Sequence, residues 1–332
     1  MRKIPFFSAI ALFLMLLISC GDAKGVIENS IDSEEGSSEE VPNENVISQD
    51  DVAQTLKYLS SDELQGRKTG SEGIEKAAVY IENIFEDAGI KPFFETYRNS
   101  FEENGVTGYN IVGLKEGTDP LLKDEVIIVG AHYDHVGKID PVGGDELANG
   151  ANDNASGTTA VLELAKYFSR IDTKRSILFT LFSAEELGLV GSDKLASTLK
   201  DEELQPYVMF NIEMIGVPMT DKDYLVYLTG FDRSNMAEIF NDYSEYPVVG
   251  YLPKAAEFQL FKRSDNYPFF EQFNIPAHTV SSFDFSNYDY YHHVNDEFEE
   301  LDVEHMDRMI EALVPGLREM ANSEENHIKL NQ

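Results

Sequence analysis

The chain has 332 residues, 42% hydrophobic and 26% charged, a balance that gives a folded body with a sizeable core and excludes a wholly disordered protein. Its formal charge of -34 repels nucleic acid phosphates and anionic headgroups, and no basic stripe offsets it, so DNA and RNA binding are excluded as functions. Acidity of this size first serves solubility, with attraction of cationic substrates or divalent metals as a second use.

Arg2 and Lys3 precede an apolar run at 10–18, the charged and hydrophobic regions of a secretory leader and too short for a transmembrane helix. The run ends Leu17-Ile18-Ser19-Cys20, and Cys20 is the one cysteine of the chain, so no internal disulfide forms. An incidental thiol is the bland reading of Cys20. The sharper one is that Leu-x-small-Cys resembles the bacterial lipobox, which implies a signal peptide over 1–19, cleavage before Cys20 and acylation of that residue. The expected location is then the bacterial cell envelope, lipid-anchored, on the periplasmic or outer-surface face. Residues 20–48, rich in Glu, Asp, Ser, Asn and Gly, form a solvated tether. Glu34, Glu35, Glu39 and Glu40 are also compatible with a surface-export signal.

Structure is expected to begin near Ser48, an N-cap candidate, in a single domain over 49–325. Val52, Leu56 and Leu59 have helical spacing, and a second amphipathic helix carries Ala77, Ala78, Ile81, Ile84 and Phe85 before Gly89 stops it. Residues 93–101 and 109–114 read as strands, followed by the apolar strand at 126–129. Beyond it, helices and strands alternate: helix at 158–168, strand at 175–182, helix through Leu195 and Leu199, strands at 207–212 and 224–228 and helix at 236–243. A helical segment at 269–273, a strand at 275–280 and a closing amphipathic helix at 303–320 complete the order. Alternating elements with apolar strands give an α/β fold with a mixed, largely parallel central sheet flanked by helices on both faces.

Three apolar strands end in metal-type ligands: His132 and Asp134, Glu185 and Glu186, and Glu213. Taken singly, a Glu pair is a solvated helix start and an Asp after a strand is a turn residue. Brought to one sheet edge, they concentrate buried negative charge that a cation resolves. Imidazole and carboxylate suit zinc. His132 and Asp134, two apart in extended chain, face one side, so one can ligate while the other orients it.

These residues resemble peptidase family M28, zinc aminopeptidases, through His132-x-Asp134, the segment Gly150-Ala151-Asn152-Asp153-Asn154-Ala155-Ser156-Gly157, Ala184-Glu185-Glu186-x-Gly188, Asn211-Ile212-Glu213-Met214-Ile215-Gly216 and Tyr291-His292. The resemblance implies two Zn2+ per chain, peptide substrates and the zinc aminopeptidase fold. It assigns Asp153 as the bridge, His132 and Glu213 to one metal, Glu186 and His292 to the other, Asp134 as the group orienting His132 and Glu185 as general base. Tyr291 matches a tyrosine that assists the oxyanion in some relatives, with a packed aromatic as its alternative. Glu213 stands where Asp is common, and Asn266 where many relatives have His. His135 and His293 flank the assigned ligands, and His278 and His305 read as core or helix-face residues. Phe258, Phe261, Tyr267, Phe269 and Phe270 are candidates for an apolar pocket, though an aromatic stripe is more often core. A carboxypeptidase, a glutaminyl cyclase-like enzyme or a non-catalytic peptide- or metal-binding lipoprotein are the alternatives to an aminopeptidase.

Overall fold

The computed structural model describes residues 47–244 and 246–332; the expected signal peptide, Cys20 and the tether up to residue 46 lie outside them. The strands are β1 (Lys91–Pro92), β2 (Arg98–Glu103), β3 (Val106–Lys115), β4 (Glu125–His132), β5 (Gly137–Val142), β6 (Asp145–Ala148), β7 (Ile177–Phe182), β8 (Gln205–Ile212), β9 (Val226–Leu228), β10 (Val249–Gly250) and β11 (Ala277–Ser281). The helices are α1 (Gln49–Leu59), α2 (Glu72–Asp87), α3 (Gly157–Ser169), α4 (Val190–Asp201), α5 (Met236–Asp242), α6 (Pro253–Glu257), α7 (Asn266–Phe273) and α8 (Val303–Asn322). No helix among the described residues is long and apolar enough to cross a membrane.

Nine strands form the main sheet in the order β1-β3-β7-β4-β8-β11-β9-β10, with β2 also paired to β3. The centre, β7-β4-β8-β11, is parallel, while β1, β2 and β3 on one side and β9 against β11 on the other run antiparallel. The expected mixed sheet is present, its parallel centre flanked by antiparallel pairs, with β10 pairing parallel to β9 at one edge. Along β4, Ile127, Val129 and Ala131 join the core beneath α1, α2, α3, α5 and α8, whereas Val126 and Ile128 join the one beneath α4 and α7. Alternation with both faces covered is why these strands read as continuous apolar runs.

Local expectations mostly match, with informative exceptions. Ser48 precedes α1 in extended conformation but its hydroxyl makes no cap bond, whereas Ser71 does cap α2, accepting from Ile74 N–H at 3.3 Å. The strand expected over 93–101 is broken into β1 and β2. Phe93 and Phe94 both pack against the same apolar cluster, which consecutive strand residues cannot do because their side chains alternate. The strand expected over 224–228 shortens to β9. The hairpin of β5 and β6 lies between His132-x-Asp134 and the segment 150–157; its residues are largely exposed and polar, so no burial period announces it.

Parallel pairing brings three strand ends to one edge. His132 ends β4 opposite Phe182 of β7, and Glu213 N–H, just past β8, donates to Val280 O of β11 at 3.0 Å. The chain after β7 turns through Ser183 and Ala184 to Glu185 at this same edge.

Candidate metal centre

Asp153 sits in an irregular helical turn, Ala151–Ser156, that feeds α3. Gly150 enters the turn at φ 63, and a side chain there would meet the His135 ring at 2.5 Å. At Gly157 a Cβ would lie 2.3 Å from Ile212 O, so only glycine lets this turn press against the end of β8. The Asp153–Asn154 peptide is cis.

The polar residues of the turn are spent on its neighbours. Asn152 Oδ1 accepts from Gly216 N–H at 2.8 Å, Asn154 Oδ1 from Met214 N–H at 3.0 Å, and Ser156 Oγ from Ile215 N–H at 3.0 Å. Asn154 Nδ2 also donates to Ile212 O at 3.0 Å. The motif around Asp153 is thus joined to the motif around Glu213, bond by bond. From the other side, Asp296 accepts from the N–H groups of Asn152 at 2.7 Å and Asp153 at 3.0 Å, and from the Tyr288 hydroxyl at 2.6 Å.

Around the Asp153 carboxylate the imidazoles converge. His132 Nε2 lies 3.3 Å from Oδ1, and His292 Nε2 lies 3.2 Å from Oδ2 and 3.1 Å from Glu186 Oε2. His135 belongs here as well: its Nδ1 is 3.0 Å from Glu186 Oε1 and 3.7 Å from Asp153. His135, Asp153, Glu186 and His292 offer ligand atoms all within 4.8 Å of one another. His132 Nε2 and His292 Nε2 are buried without an aligned hydrogen bond despite these short approaches, whereas His135 Nδ1 is hydrogen-bonded to Glu186 and its Nε2 is buried without a partner. Nitrogen and oxygen atoms that crowd together without pointing at each other are arranged for a shared third atom, and the donor set is that of zinc. The residues present fit a metal.

Asp134 acts twice. Its backbone carbonyl is 3.2 Å from His132 Nδ1, closer than its carboxylate at 3.6 Å, while the carboxylate accepts from Thr69 Oγ1 at 3.1 Å and from Glu185 N–H at 3.2 Å. One residue therefore orients His132 through its main chain and Glu185 through its side chain. Ala184, Met214 and His292 all have φ between 49° and 60°, beside or at the assigned site residues. Positive φ at non-glycine residues is strain that neighbours must hold, and it gathers at functional sites.

Charge is densely balanced. Burial opposes ionisation of Asp153, but His132 and His292 hold its carboxyl well below the usual range. Burial likewise works against the His132 imidazolium, yet Glu185, Asp134 and Asp153 keep its pKa well above that of an ordinary histidine. Burial pushes Glu185 well above the carboxylate range against the pull of His132, with Glu213, Asp265 and Glu186 adding to the rise. It pushes Glu213 up to about 7 in the same way.

Glu185, Glu213 and Asp153 line one pocket with Met214, Tyr227, Leu260, Arg263, Phe283, Phe285 and Tyr291. Tyr291 is 43% exposed and stacks on His292 with centroids 4.0 Å apart, so the packed-core alternative is set aside. The five aromatics named from the sequence do not line this pocket. Phe269 is buried against Phe182, and Phe261 faces a separate cavity beside Gly230, because the helix α7 and the turn before it pack inward. Asn266 is a stitch, donating to Phe261 O and Ala277 O at 3.1 Å each. His278 is buried between Ser234 Oγ at 2.7 Å and Thr229 O at 2.8 Å, a core residue as expected.

The profile of peptidase family M28 matches residues 110–315, and the chain belongs to that family. An aminopeptidase of Bacillus subtilis, YwaD, is 37% identical over 111 residues, 33% of this chain and 22% of that protein. The chain spans less than half the length of the first curated relatives it matches. Among solved structures, the aminopeptidase of Aneurinibacillus sp. strain AM-1 superposes with TM-score 0.65 at 18% identity, covering 86% of this chain and 97% of that one. The glutaminyl cyclase of Porphyromonas gingivalis shares the fold at TM-score 0.63 and 15% identity, covering 83% and 99%.

Proposed function

We propose that the chain is a two-zinc aminopeptidase that hydrolyses the N-terminal residue from peptides. The observation that carries this reading is the two-sided Asp153 carboxylate, one oxygen beside His132 and the other beside His292, with Glu185 in the same pocket. Asp153 would bridge the ions, His132 and Glu213 would hold one, and Glu186 and His292 the other. Bound zinc supplies Lewis-acid polarisation of the scissile carbonyl and acidifies the attacking water.

The chain's own residues do the rest. Glu185 takes the proton of that water and passes it to the leaving amine, a role served by its raised carboxyl pKa and its place over the pocket. Asp134 holds Glu185 in place through its N–H. His135 orients Glu186 through the 3.0 Å contact at Nδ1. Tyr291, its phenol held well above its ordinary pKa by burial and the nearby carboxylates, stays a hydrogen-bond donor for the developing oxyanion. Glutaminyl cyclase chemistry shares the fold, but the proposed assignment of ligands to two ions favours hydrolysis.

Purified protein assayed on aminoacyl-anilides and on N-blocked peptides, with and without chelator, tests the reading. Cleavage of blocked peptides alone, or cyclisation of N-terminal glutamine in place of hydrolysis, rejects it; activity indifferent to chelation rejects the metal. We also propose that Cys20 is acylated and anchors the chain to the cell envelope. Detergent partitioning lost in Cys20→Ala supports the anchor, and unchanged partitioning rejects it.

A further inference from the structure

The pocket lined by Glu185 is also lined by Arg263, an arginine whose guanidinium has no partner among the described residues. Arg263 follows the turn Leu260–Lys262, and its N–H donates to Leu260 O at 3.0 Å. The next residue, Ser264, donates to the Glu213 carboxylate and accepts from Asn211 Nδ2 at 2.9 Å. The main chain at Arg263 is therefore fixed one residue from an assigned zinc ligand. Its side chain is exposed and, among the described residues, has no hydrogen bond, ion pair or ring contact.

Exposed cations without a side-chain partner occur elsewhere among the described residues, Arg318 for one, but Arg263 is the one of them that lines the Glu185 pocket. Arg98 grips Glu82, Arg175 grips Glu125, Arg67 is saturated by carbonyls, and Arg233 lies over the Phe261 ring. Arg263 instead faces a pocket whose walls include Leu260, Phe283 and Phe285 and whose floor hydroxyls are already committed: Tyr227 to Phe283 O, Ser281 to Met214 O, and Thr279 to Asn266. The pocket thus offers apolar contact for a short aliphatic stem and one planar, permanently charged fork.

Resting on the aminopeptidase reading, we infer that Arg263 selects substrates bearing a carboxylate, held by its guanidinium while the free amine and scissile bond lie at the metal centre. A chain this acidic repels anionic peptides at long range, so accepting one needs a local cation placed to meet it. A peptide presents a carboxylate in two ways, as an acidic first side chain or as the C-terminus of a dipeptide. Both put the same group on the same fork.

The test compares kcat/KM for wild type, Arg263→Gln and Arg263→Lys on glutamyl- and leucyl-anilide and on Leu-Gly and its amide. The expected result is that at least one of the two selectivity ratios, Glu over Leu or acid over amide, falls about 10–100-fold in Arg263→Gln. Lysine restores part of it. A fall in the first ratio assigns the side chain, a fall in the second the C-terminus. Both ratios unchanged, with turnover retained, overturns the inference and leaves the aminopeptidase reading standing. Calorimetric binding of glutamate and Leu-Gly needs no turnover: Arg263-dependent binding in a protein that hydrolyses none of the four would support the carboxylate site and reject the aminopeptidase reading.

Discussion

Asp296 holds Asp153 by its backbone, accepting its N–H at 3.0 Å from 143 residues away in sequence. The carboxylate that faces the imidazoles of His132, His135 and His292 is thus aimed by a second carboxylate that bonds to none of them. Asp296→Ala leaves two buried N–H groups without an acceptor. It is expected to weaken metal affinity about 10–100-fold, read by chelator competition, and to lower stability by about 1–3 kcal/mol, read by urea unfolding. Equal metal affinity in variant and wild type would show that the turn holds itself.

Glu185→Gln keeps size and the N–H bond to Asp134 but removes the proton acceptor. The expected outcome is a fall in kcat of about 10²–10⁴-fold with bound metal, measured by elemental analysis, unchanged. A loss of metal in step with activity would make Glu185 a ligand instead of a base.

Arg67 is fully buried, and its guanidinium donates to Tyr133 O at 2.8 Å, Asn149 O at 2.6 Å, Gly150 O at 2.9 Å and also Leu59 O. It clasps α1 to the two segments that carry His132 and Asp153. Arg67→Met strands several buried carbonyls and is expected to cost about 3 kcal/mol or more, seen as a lower denaturation midpoint. Lysine, with three donors on one atom, is expected to recover only a fraction.

Acid sensitivity should trace in part to His278. Burial lowers its pKa from 6.5 to about 4, so the unfolded chain binds its proton first as pH falls. The stability it contributes is complete above pH 6.5 and declines as pH drops toward 4, by about 3 kcal/mol in all. His278→Gln is expected to flatten the unfolding free energy over that window; an unaltered slope would assign the loss to other groups.

The strand ends that carry His132, Glu185 and Glu213 were legible because apolar runs followed by ligand-type residues leave a local pattern. Thr69 and Arg67 left none, and Asp296 showed only as a neighbour of Tyr291-His292 in the family pattern, not as the group that holds Asp153. They act by side-chain bonds to distant backbone, which have no periodicity and no neighbouring partner in the chain. His135 was visible as a residue but not as a member of the cluster, since its contact with Glu186 exists only once β4 and β7 are side by side. The pocket walls left no signal for a related reason: Phe261 and Phe269 match Phe283 and Phe285 in chemistry, and only packing puts the latter two at the Glu185 pocket while Phe269 takes the core place that an aromatic stripe more often has.

The bonds from Asn152, Asn154 and Ser156 into 212–216 make the path of one stretch of chain depend on the side chains of another, distant in sequence. A change of side chain at Asn152, Asn154 or Ser156 therefore disturbs the main-chain path of 212–216, whereas a change of side chain at 212–215 leaves these bonds in place. The exposed hairpin between β4 and this turn is free of that tie, and it is there that length and composition can drift without moving the ligands.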